Sequence, residues 1–138
     1  MGDAERPDNA DETVDLWDTM PDAAAIKPPV VILKEQASLL TRKTAGRLRG
    51  LVETKASSSD IYHTFYIVAP ALQNYRYGVF EVYHPILLYP VTVWNAPNRP
   101  AGGLKLKNEA EFVGWLKSVL SSSEVRQTIS ALLAQVQS

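Results

Sequence analysis

Both histidines of the chain, His63 and His84, and all six tyrosines lie between residues 61 and 94. An imidazole can move a proton near neutral pH or ligate a metal, and a phenol can donate, accept or stack. Two histidines hold a metal only with one or two further ligands. No Asp, Glu or third His shares their expected strand face, so a structural or solvated pair is expected, with no metal and no cofactor. Glu81, with Tyr66 and Tyr83, could act as an acid or base in a pocket. A lone glutamate among tyrosines on a sheet is more often a surface hydrogen-bonding group. The chain has no cysteine, which removes thiol catalysis, disulfides and thiolate metal sites. Its serines cluster in "ASSSD" and "LSSSE", where turns and helix caps account for them. "PAGG" lacks the Lys-Ser/Thr of a phosphate loop. No catalytic residue stands out, and the chain is expected to be more a binder than an enzyme.

These residues must be positioned by a small fold. At 138 residues, one domain with its own core is the natural size. Charge is uneven. Residues 1–22 carry eight acids and one base, and the remainder carries seven acids and thirteen bases. Residues 1–27 are expected to form a disordered acidic tail, because they hold too little apolar surface to offset ordering. Within them "VDLWDTM" is an apolar island, expected to tuck Trp17 onto the domain or, failing that, to serve as a short motif for another protein. The N-terminus reads as neither a signal nor a transit peptide, and no apolar run is long enough to span a membrane. The expected location is cytoplasmic, with no membrane partner.

Residues 28–138 are expected to form a single α+β domain: an N-terminal helix, a four-stranded antiparallel meander and two C-terminal helices. After Pro28-Pro29, the spacing of Val30, Leu33, Ala37, Leu40 and Thr44 predicts a helix over 30–45. Gly46 is placed to end it. The period then drops to two, with strands expected at 48–55, 61–69, 77–84 and 86–94. Pro90 marks the last strand as an edge, and 95–107 reads as loop. Asn108 with Glu111 predicts a capped helix with Phe112, Trp115, Leu116, Val119 and Leu120 inward. Ser121 with Glu124 repeats the spacing ahead of a last helix carrying Val125, Ile129, Leu132, Leu133 and Val136.

Strand alternation assigns the faces. Centring the second hairpin at Gln73-Asn74 pairs Phe65 with Val82, Ile67 with Phe80, Ala69 with Gly78 and His63 with His84 on the core side. Leu48, Gly50, Val52, Leu87, Tyr89, Val91 and Val93 join them. The opposite face then collects Tyr62, Tyr66, Tyr77, Glu81, Tyr83, Leu88 and Trp94, with Arg49, Glu53, Ile86 and Thr92. So many rings exceed what a plainly solvated face carries. Tyr62, Tyr66, Tyr77, Glu81, Tyr83 and Trp94 are therefore the expected binding residues. The face could be covered by the first helix or a second subunit, engaged by a partner, or left in water.

The leading expectation is a non-catalytic protein-interaction or adaptor module using this tyrosine-rich face, with itself or another protein as partner, and homodimeric in one form. One alternative is a small-molecule-binding domain or weak enzyme with a pocket near Tyr66, Glu81 and Tyr83. A further alternative is nucleic-acid binding through the basic patch of residues 42–55, formed by Arg42, Lys43, Arg47, Arg49 and Lys55 beside the tyrosines.

Overall fold

The computed structural model describes residues 13–22, 26–97 and 103–136. Residues 1–12 and 23–25 lie outside them, and with those residues most of the tail expected to be disordered. The segment 13–22 stands clear of the domain: Val14, Leu16, Trp17 and Met20 are all exposed, Trp17 by 77%. The expected tuck of Trp17 onto the domain does not occur.

Helix α1 (Pro29–Lys43) starts on Pro28, with proline in its first turn, and buries Pro29, Ile32, Leu33 and Ala37. It ends as its sequence implies. Ala45 and Gly46 take positive φ of 51° and 79°, and the Gly46 N–H donates to the Thr41 carbonyl. Two threonines of the last turn join the helix to the strand that follows. The Leu48 N–H donates to the Thr44 hydroxyl at 3.1 Å, and the Gly50 N–H to Thr41 Oγ1 at 3.2 Å.

A five-stranded antiparallel meander follows: β1 (Arg49–Ala56), β2 (Ile61–Ala69), β3 (Tyr75–His84), β4 (Val91–Asn95) and β5 (Leu104–Leu106), side by side in that order. Helices α2 (Glu109–Leu120) and α3 (Ser123–Val136) close the domain. The α+β reading and the order of elements hold, with one strand more than expected. Phe65, Ile67, Phe80, Val82, Val91 and Val93 of the sheet form one core with Leu33 of α1, Phe112 and Leu116 of α2, and Val125 of α3. Phe65 stacks on Phe80 at 5.3 Å, and Phe80 meets the edge of Trp115 at 5.0 Å.

Register departs from the expectation in instructive ways. β1 and β2 pair two residues away from the expected alignment, with Val52 opposite Phe65. An even slip preserves every face, so Gly50 and Val52 stay inward while Arg49 and Glu53 stay outward. Between β2 and β3, Phe65 pairs with Phe80, and then Tyr66 with Gly78. Val79 is the extra residue of a bulge. Below it the parity reverses, and Tyr77 pairs with Ile67 and packs against the core. The cause is the connection. Pro70–Leu72 forms a 3-10 turn, and Gln73 and Asn74 both take left-handed φ, so the hairpin is longer than the two-residue turn that alternation assumed.

The fourth strand begins late. Leu88 has φ of 80° and Tyr89-Pro90 is cis, and the Leu88 N–H donates to the Pro85 carbonyl at 2.9 Å. Residues 85–90 are therefore a turn, in which Ile86 and Leu87 are 76% and 82% exposed instead of lying in a strand. Pro90 precedes β4 and does not mark an edge. The outer position belongs to β5, in the stretch expected to be loop, where Val91 pairs with Leu106 and Val93 with Leu104. Asn108 caps α2 as expected, its Oδ1 accepting the Glu111 N–H at 2.9 Å. At α3 the capping oxygen is that of Ser122, which accepts the Val125 N–H. Ser121 instead turns back, its hydroxyl donating to the Lys117 carbonyl.

Candidate functional site: the open face of the sheet

Alternation on β2 sends His63, Phe65 and Ile67 inward and leaves Tyr62, Thr64 and Tyr66 on the opposite face. The buried residues of α1, α2 and α3 all belong to the core on the inward side. Among the described residues no helix is laid across the other face. The α1 helix, which could have covered it, sits on the core side against Gly50, where an added Cβ would overlap the Ala37 backbone.

The pairings arrange the open face in rows. Lys55, Tyr62 and Tyr83 make one row, and Glu53, Thr64 and Glu81 the next. Leu51, Tyr66 and Gly78 follow, and then Arg49, Val68 and Arg76. Rings run across the first row. Tyr62 and Tyr83 lie 5.1 Å apart, Trp94 of β4 meets Tyr83 at 6.5 Å, and Trp94 is 57% exposed. Farther along, the Arg76 guanidinium lies over the Tyr66 ring at 4.2 Å and pairs with Glu53 at 2.6 Å. A cation is attracted to the negative face of a ring, so Arg76 holds Tyr66 flat, and the ring edge covers Gly78 at 3.6 Å from where a Cβ would sit. A shallow cup of about 180 Å³ lies between Glu53, Lys55, Tyr62, Thr64, Tyr66 and Glu81.

Tyr62, Tyr66, Glu81, Tyr83 and Trp94 thus share one surface. Tyr77 is a correction: the bulge at Val79 turns it to the core side. Arg76, Lys55 and Thr64 complete the surface, although alternation alone gave no reason to single them out. Arg76 reaches Tyr66 only because the same bulge shifts its strand. Of the basic residues 42–55, Arg42, Lys43 and Arg47 lie at the end of α1 and just beyond it. Arg49 and Lys55 lie far apart on the open face, with Glu53 between them.

The histidines meet on the core side, diagonally instead of directly opposed. His63 pairs with Val82 and His84 with Ile61, yet the two Nε2 atoms are 2.8 Å apart and the rings stack at 4.9 Å. Each residue is 2% exposed. His84 Nδ1 lies 2.7 Å from the Pro85 carbonyl, which can only accept. His84 therefore carries its proton on Nδ1 and accepts at Nε2 from His63. His63 in turn accepts at Nδ1 from the Thr54 hydroxyl, 2.9 Å away. Every contact is satisfied with both rings neutral. Burial first, and then the charges of His84 and Lys34, lower His63 to about 4. Among the described residues no cluster of three metal-ligating side chains exists, and no helix is long and apolar enough to cross a membrane.

Comparison with protein-family models, with curated proteins and with solved structures finds no match. The functional reading rests on the geometry.

Proposed function

We propose that the protein is a non-catalytic interaction module, and that its working surface is the open face of the sheet, where another protein docks. One observation carries this reading: the row Tyr62, Tyr83 and Trp94 stands on a face to which no described helix contributes, with Trp94 more than half exposed. Tyrosine and tryptophan offer flat apolar area at low entropic cost with a polar edge, and they are enriched where proteins meet. The flanking Glu53–Arg76 pair supplies a charged rim around that centre. The alternative, a ligand pocket near Tyr66, Glu81 and Tyr83, has less support. The cup there holds about 180 Å³ and is lined by Tyr62, not Tyr83, whereas small-molecule sites run to roughly 300–1,000 Å³.

A photo-reactive residue at position 94 tests the reading in cells, with the same residue at the exposed position 126 of α3 as control. Discrete protein adducts are expected from position 94, weakened by Tyr83→Ala, with none from 126. Equal labelling from both positions rejects the reading.

A further inference from the structure

The largest concavity lies away from the sheet, between α1 and α2, and measures about 780 Å³. Its floor is apolar, formed by Ile32, Val113, Leu116 and Leu120, and Lys43 and Lys117 stand at its rim. At the end nearer the helix starts it is flanked by Lys27, paired with Glu35 at 2.8 Å, and by Glu109. The same chain carries a segment of matching chemistry. Leu16, Trp17 and Met20 are 88%, 77% and 62% exposed, far more than apolar side chains of that size usually are.

The segment is also poised to become a helical turn. Asp15 Oδ1 accepts the Trp17 N–H at 2.9 Å, the bond an N-cap residue makes. Asp18 then stands in the first turn, where a carboxylate favours the helix dipole, and Pro21 stops the turn after Met20. At about 100° per residue, Leu16, Trp17 and Met20 fall within one apolar arc, and Asp18 and Thr19 lie outside it. An apolar stripe with acids behind it suits an apolar groove with lysines at its rim, the helix-in-groove mode of recognition.

We propose that two copies of the chain exchange these segments. Leu16, Trp17 and Met20 of one copy seat on Ile32, Leu116 and Leu120 of the other, with Asp15 and Asp18 toward Lys43 and Lys117. Several features point to a second copy. The chain's own segment stands clear of its own groove. Its link back to the domain ends at Lys27, which lines the groove mouth, so two facing grooves receive each other's segments over similar spans. Reciprocal exchange closes on itself as a two-fold dimer. The sheet face takes no part, and this inference stands or falls separately from the docking reading above.

Sedimentation velocity of the full chain over a concentration series decides it. The wild type is expected to shift from monomer to dimer mass. Trp17→Ala, on a segment that touches nothing in the domain, and Val113→Glu, at a position 44% exposed, should each weaken the dimer on the order of 30-fold or more, as loss of a central aromatic anchor does. Mixing the two variants should restore association, because one supplies an intact groove and the other an intact segment. Raised salt should weaken the wild-type dimer, and Trp94→Ala should leave it unchanged. A wild type that stays monomeric overturns the proposal, as does a dimer indifferent to Trp17→Ala or a mixture that fails to associate. A dimer lost in Trp94→Ala but kept in Trp17→Ala would assign self-association to the sheet instead.

Discussion

Protonating His63 would place a charge on a ring that is 2% exposed and whose Nε2 already donates to His84. The pair is best understood as a neutral polar element of the core, one that fastens β1, β2 and the turn after β3 through Thr54 and the Pro85 carbonyl. The sign of its pH dependence follows. His63 has its ordinary value of 6.5 in the unfolded chain and about 4 in the fold. Between those values the unfolded chain binds more protons, so acidification favours unfolding. Stability from this group is intact above 6.5, falls as pH drops toward 4, and levels off below; the whole effect is at most about 3 kcal/mol. His63→Gln removes the titration. Its urea midpoint should change less between pH 7 and pH 4.5 than that of the wild type, although it starts lower. Equal changes in the two proteins would show that His63 does not carry this dependence. Sequence revealed that the two imidazoles share a face, because parity survives an even slip. It could not reveal Thr54 or the Pro85 carbonyl as their partners, since those contacts depend on register and on the turn at 85–90.

At the scale of elements, α1 and β1 meet through the absence of a side chain. Gly50 faces inward on β1, and the Ala37 backbone occupies the space that a Cβ would need. Neither the helix nor the strand can yield locally, because Thr41 and Thr44 tie the end of one to the start of the other. Gly50→Ala should therefore cost about 2–4 kcal/mol, in the range of overpacked or strained sites, and should lower the thermal midpoint by several degrees. A midpoint within one degree of wild type would mean that the helix does not press on the strand as closely as described. The inward direction of Gly50 was legible from two-residue alternation, as were the stripe of α1 and the cap at Asn108. Three features were not. The bulge at Val79 leaves alternation looking continuous from Tyr75 to His84, because Val79 and Phe80 are both apolar and both buried. β5 is only three residues long in a stretch rich in Gly and Pro, too short to show a period. The turn at 85–90 is built from Ile, Leu, Leu and Tyr, residues whose types argue for a strand, and only the two flanking prolines hint otherwise.

For the whole molecule, the sheet divides two tasks between its faces. The inward face holds the fold together, and the outward face is available to a partner, so damage to one should leave the other largely intact. Phe65 is 2% exposed and stacks on Phe80 in the centre of the core. Phe65→Ala should cost about 3–5 kcal/mol, the range for truncating a buried phenylalanine, a large share of the stability of a domain this size. Trp94 is 57% exposed and touches the ring of Tyr83. Trp94→Ala removes one edge contact and little buried area, so its cost should stay under about 1 kcal/mol. Under the docking reading the order reverses for partner adducts. A photo-reactive residue at position 83 should lose its adducts in the Trp94→Ala background while the urea midpoint hardly moves. The contrast matters because an aromatic row could be exposed merely as the wet side of an antiparallel sheet. In that case Trp94→Ala would alter neither stability nor adducts. A variant that keeps its fold and loses its partner separates the two accounts, and one that loses neither removes the sheet face as the working surface.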